Sequence, residues 1–197
     1  MFITGGLLMA LNSCTYMHNP MRKHTRLLQK GILLDSTSYV YDLPYPPGTS
    51  YLMIQGYFTH FTHKRRAALD FKMPVGSVVA AARGGVVLRI KNDGRQGGIR
   101  KSNRAHANYI VIQHADSSRA GYWHLKYNGV FVNVGDKVEK GQPIGLSGNT
   151  GYTYFPHLHF IVWEFDSDRN FTQIPTRFRT ANGAQYLKAI KRYENPL

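Results

Sequence analysis

The sequence predicts an all-β domain, an antiparallel sheet or sandwich with one short helix near the C-terminal end. Three features predict it. Apolar runs of strand length recur from Tyr39 onward, turn residues cut them roughly every eight to twelve positions, and helical periodicity is scarce. At 197 residues and 43% hydrophobic, the chain is long enough for one domain with a real core and too apolar for a disordered polyelectrolyte. Its 19 glycines follow no fixed period, which excludes a collagen-like fibre.

The first element is the apolar stretch Phe2 to Leu11. As a helix it would reach about 15 Å, half of a bilayer core of about 30 Å, so it is too short to span. It has the length of a signal-peptide core. The only cysteine, Cys14, follows Leu11-Asn12-Ser13, which resembles a bacterial lipobox. Residues 1–13 are therefore expected to be a lipoprotein-type signal peptide. Lipidation at Cys14 would tie the exported chain to a membrane of the cell envelope, on its periplasmic face. Residues 14–38, with Arg22, Lys23, Arg26 and Lys30, are expected to form a basic tether, and residues 39–197 the folded domain.

Within that domain the β-type runs are Val75–Ala81, Gly85–Ile90, Asn108–His114, Arg119–His124, Val130–Val134 and Leu158–Phe165. Pro46-Pro47-Gly48, Asn92-Asp93-Gly94, Asn128-Gly129, Gly135-Asp136 and the 148–151 segment are expected to punctuate them as turns. Ala184–Tyr193 is the candidate for the terminal helix.

Twenty-five Lys and Arg against eleven Asp and Glu give a net charge of +14. Solubility asks for about 2 to 8 in a small domain, so the excess points to an anionic partner: a nucleic acid, a membrane surface or an acidic wall polymer. No RNP-type motif is present, and no nucleic-acid partner is expected. A single cysteine excludes a disulfide framework and any cysteine-rich zinc finger.

The chemistry lies in the nine histidines. Along a strand, successive side chains point to opposite faces, so His157 and His159 share one face while Leu158 and Phe160 anchor the other. Taken alone, a His-x-His pair is equally well two ordinary hydrogen-bonded histidines. Asp70 stands between Leu69 and Phe71, where an unpaired buried carboxylate would be costly. His63 precedes it by seven residues and His60 by ten, while His124 closes Gly121-Tyr122-Trp123-His124. His114 ends an alternating strand and is better explained as a structural residue than as a ligand.

These pieces occur in an order that resembles the M23 family of zinc metallopeptidases, the lysostaphin and LytM type, which cut peptide bonds in bacterial peptidoglycan. The matching pieces are His63…Asp70, NYIVIQH (108–114), YWHL (122–125), the turn series of 132–151 and PHLHF (156–160). They span roughly residues 45–175. The resemblance implies a zinc endopeptidase acting on peptidoglycan with one Zn2+ per chain. Its ligands would be His63, Asp70 and His159, with His157 the general base and His124 beside it. The family's short spacing would put the first histidine at position 66, which is Arg here; His63 is taken as the ligand and His60 competes with it. Asn149 and Tyr152, in the loop before the His-x-His strand, are candidates for a wall of the substrate groove. A monomer is expected, with peptidoglycan as partner. The alternative is a domain of this type without strong activity that binds wall peptides or activates another hydrolase.

Overall fold

The computed structural model describes residues 20–165 and 167–197. The signal-peptide and Cys14 expectations lie outside these residues. Six strands make the scaffold of the site: β1 (Ser50–Gln55), β2 (Ala68–Lys72), β3 (Gly85–Lys91), β4 (Asn108–Gln113), β5 (Arg119–Val130) and β6 (Leu158–Phe165). Across the main sheet the order is Lys191–Glu194, β1, β2, β6, β5, β4, β3, Lys137–Val138, and every neighbouring pair on this path is antiparallel. Further short strands branch from β5 and β6. The expected all-β, antiparallel class holds, with parallel pairing confined to two short contacts, Val40–Tyr41 with Arg177–Phe178 and Gly97–Gly98 with Gly151–Tyr152.

Alternation divides the sheet into two faces. Leu69, Phe160, Tyr122 and Ile110 stand in register across β2, β6, β5 and β4 and belong to the buried core, each 1% exposed or less. One residue along, Asp70, His159, Trp123 and Tyr109 stand in register on the opposite face. A second, smaller apolar cluster of Ala68, Val111, Ile161 and Trp163 lies on that face, with Leu88, Tyr109 and Trp123 packed against it.

Three local expectations are corrected. Ala184–Tyr193 is not a helix; it forms the strands Gly183–Tyr186 and Lys191–Glu194, joined through Ile190 at φ +61°. The open edges at Arg177–Thr180 and at β1 accept these strands. Tyr186, Leu187 and Tyr193 reach the core, and Ile190, which a helix would have buried, is 74% exposed. Pairing with a sheet edge outweighed a weak helical preference. Second, Asn128-Gly129 is not a turn: β5 runs through it to Val130, with Asn128 in the left-handed region at φ +51°, and Phe131–Val134 lies beyond the strand. Third, part of the stretch read as tether is a helix, α1 (Pro20–Gln29). Leu28 packs against the core and the Gln29 amide donates to the Leu187 carbonyl.

Candidate metal centre

The centre is built around one carboxylate. Asp70, in the middle of β2 and 6% exposed, presents Oδ1 to His159 Nδ1 at 2.8 Å and Oδ2 to His63 Nε2 at 3.2 Å. The Gln55 amide donates to Oδ2 at 2.9 Å and to the Thr62 hydroxyl, while its Oε1 accepts from the Thr62 amide. Gln55 thereby ties the carboxylate to the loop that carries His63. Burial pushes the Asp70 carboxyl upward, but the bonds and charge of His159 first and His63 second overcome it and hold the group well below the usual carboxylate range. His159 moves down, because burial disfavours its charged form more than Asp70 favours it. The resting pair is a carboxylate beside a neutral imidazole.

His63 is 1% exposed, and its Nδ1–H donates to the Gly56 carbonyl at 3.2 Å. Its Nε2 is buried and faces Asp70 Oδ2 at 3.2 Å, a close polar contact without a well-aligned hydrogen bond. A ring nitrogen and a carboxylate oxygen that face each other inside a protein call for a proton or a metal cation between them. One donor atom from each of His63, Asp70 and His159 falls within 4.8 Å of the others. Two imidazoles and one carboxylate are the donor set of a catalytic zinc site with a place left open. His60 is exposed on the same loop, with its ring against Arg22, so among the two competing histidines it is His63 that meets Asp70.

Two more imidazoles border this triad. His157 donates from Nδ1 to the Phe155 carbonyl at 2.8 Å, near the Thr153 hydroxyl, and aims Nε2 toward Asp70 Oδ1 at 3.8 Å. His124 donates from Nδ1 to the Thr150 carbonyl at 2.7 Å. The two rings lie 4.7 Å apart. Burial, reinforced by His157 and His159, pushes the His124 pKa down to about 3, so its ring is neutral.

His124 reaches the site by a route no periodicity announces. Tyr109 pairs with Trp123 and Asn108 with Leu125, leaving His124 as the extra residue of a β-bulge at φ +66°. The bulge turns Trp123 and His124 toward the same groove, and Leu125 falls into the core. Asn108 and Thr150 hold it: the Asn108 backbone amide donates to the Thr150 hydroxyl, which donates to the Leu125 carbonyl. Gln55, Asn108 and Thr150 escaped the sequence reading because each acts through a partner far along the chain. The usable signal was the cost of burying such polar groups.

The groove has a volume of about 1030 Å³. Tyr152 and Tyr154 line it, as do His124, His157 and His159. Asn149 does not line it: exposed, it accepts from the Thr153 hydroxyl through Oδ1, and its carbonyl packs on Gly97, where a Cβ would come within 1.7 Å. The 148–151 turn thus supports the wall from behind. His114 stays outside, buried, with Nδ1 donating to the Gly84 carbonyl.

A profile described as peptidase family M23 matches residues 64–171, more than half of the chain. The peptidoglycan DD-endopeptidase ShyA of Vibrio cholerae is 42% identical over 91 residues, which are 46% of this chain and 18% of that protein. The glycyl-glycine endopeptidase ALE-1 of Staphylococcus capitis is 36% identical over 117 residues, 58% of this chain and 29% of its own. The chain spans less than a third of the length of either relative. Among solved structures, the M23 metalloprotease pseudoalterin, of deep-sea origin, superposes with a TM-score of 0.50 at 18% identity, over 79% of this chain and 95% of that one. At such identity the likeness concerns the fold.

Proposed function

The chain belongs to peptidase family M23, and from that premise we propose that it is a zinc-dependent endopeptidase hydrolysing peptide bonds of bacterial peptidoglycan. One observation carries the reading: the donor atoms of His63, Asp70 and His159 converge within 4.8 Å at the wall of a groove that also holds His157 and His124. Zinc, when bound, supplies Lewis acidity, bringing the pKa of a water to about 7 and polarising the scissile carbonyl. His63, Asp70 and His159 would hold it, and one carboxylate between two neutral imidazoles leaves the centre net positive.

The remaining steps belong to side chains. The Phe155 carbonyl fixes the His157 tautomer, so its Nε2 faces the centre as the general base that takes the proton of the attacking water. Once protonated, the same nitrogen becomes a donor and passes the proton to the departing amine. His124, neutral and pinned by the Thr150 carbonyl, orients that water as an acceptor. Gln55 keeps the Asp70 carboxylate facing both ligand imidazoles.

Purified sacculi test the reading. Release of soluble peptides should require one equivalent of zinc, stop with a chelator and vanish in His159→Ala; retained hydrolysis in that variant rejects it. The place of action is proposed to be the cell envelope, with Cys14 as the lipid acceptor. Incorporation of labelled fatty acid that persists in Cys14→Ser would refute the anchor. Among the described residues no helix is long and apolar enough to cross a membrane.

A further inference from the structure

The groove carries a charge pattern that goes beyond a generic peptide site. Four arginines line it, Arg66, Arg89, Arg104 and Arg119, and among the described residues lining it Asp70 is the only acid. Asp70 is already engaged by Gln55, His63 and His159. None of the four arginines forms an ion pair among the described residues, in contrast to Arg83 and Arg179 elsewhere, which meet Asp116 and Asp42.

Two of the four stand on the floor of the sheet. Arg89 on β3 is in register with Val111, which is in register with Gly121, and Gly121 with Ile161. This row lies two residues beyond His159. Arg119 is in register with Trp163, four residues beyond His159, or roughly 13 Å along the strand at about 3.3 Å per residue. In the Arg89 row, Ala68 and Gly121 contribute almost no side chain, and the Trp123 ring packs against Gly121, where a Cβ would meet it at 1.8 Å. Arg119 rests on the Phe165 ring at 4.9 Å, and its Nε is buried without a hydrogen-bond partner. On the opposite rim Arg104 sits over Tyr152 at 5.3 Å. Rings that hold guanidinium groups in place leave their planar N–H edges free for a carboxylate.

We infer that the groove selects peptides bearing free carboxylates within about four residues of the scissile bond, with Arg119 and Arg89 as the receiving groups. An uncharged glycine run would leave the four arginines with no ion-pair partner among the described residues. This inference rests on the peptidase reading and deepens it.

The test uses one cross-linked peptidoglycan digest in two forms, native and with its carboxylates converted to amides. The native form should be cut with a kcat/KM at least tenfold above that of the amidated form, chiefly through KM, and the difference should shrink as salt is raised. Arg119→Gln and Arg89→Gln should each raise KM for the native digest severalfold and leave the amidated one unchanged, with zinc content and Tm as checks on folding. Lys137→Gln, an exposed charge outside the groove, should change neither. Equal cutting of both forms overturns the carboxylate inference and leaves the peptidase reading standing. If folded, zinc-loaded protein cuts neither form, the peptidase reading fails and takes the inference with it.

Discussion

Leu69, Phe160 and Tyr122 lie side by side on one face of the central sheet; one residue along each strand, Asp70, His159 and Trp123 lie side by side on the other. The same backbone supports both rows, yet they do different work. The first row is sealed in an aromatic and aliphatic core, where Phe160 packs edge-on against Tyr122 and Tyr41. The second faces a groove and keeps its polar groups dry only by pairing them with one another. The closed face makes the strands rigid, and that rigidity lets the open face hold a carboxylate and four imidazoles at defined separations. Stability and chemistry are thus segregated at a spacing of one residue.

Adjacent substitutions on β6 should break this comparison most sharply. His159→Ala should lower peptide release by about a thousandfold or more. Phe160→Ala, its neighbour on the closed face, should cost about 3–5 kcal/mol of stability, seen as a Tm lower by about 10 °C or more. If Phe160→Ala leaves Tm within two degrees, the two faces are not segregated as described.

A titration sharpens the comparison next. Burial holds the His114 pKa down to about 4, against 6.5 for the free side chain. Its contribution is complete above pH 6.5, because both folded and unfolded chains are then neutral there. It falls as pH drops toward 4, because the unfolded chain takes up the proton first, and the loss reaches about 3 kcal/mol. Denaturant melts of wild type and His114→Phe should converge as pH falls from 6.5 to 4. A gap that stays constant over this range would show that His114 plays no part in acid sensitivity.

The smallest effect concerns the bulge. Thr150→Val removes the hydroxyl that joins Asn108 to Leu125, and should reduce kcat by about 10- to 100-fold with little change in KM. A loss below threefold would mean that the bulge holds His124 without this support.

The legible part of the site follows from local geometry. His157 and His159 share a face because a strand has a period of two, and Asp70 stood out as a carboxylate between Leu69 and Phe71. Tyr152, in the loop before that strand, lines the groove. Asn149 does not line it, since a residue of this segment can face either side and here it braces Thr153. The route by which His124 enters the groove was not legible, because a bulge is set by how two strands slip past each other. The helix expected at Ala184–Tyr193 failed for a related reason: an open sheet edge captured a segment of weak local preference.

By itself, the amino-acid order determined the β class, the alternation that separates core from groove, and the residue types able to bind a metal. These depend on backbone periodicity and side-chain chemistry, which act within a few residues. Only the tertiary structure decided that His63 and not His60 meets Asp70, that His124 turns into the groove, and that four arginines face it with Asp70 the one acid among the described residues that line it. Those outcomes depend on strand register and on where loops close between residues far apart in the chain, and these are settled by packing of the whole domain.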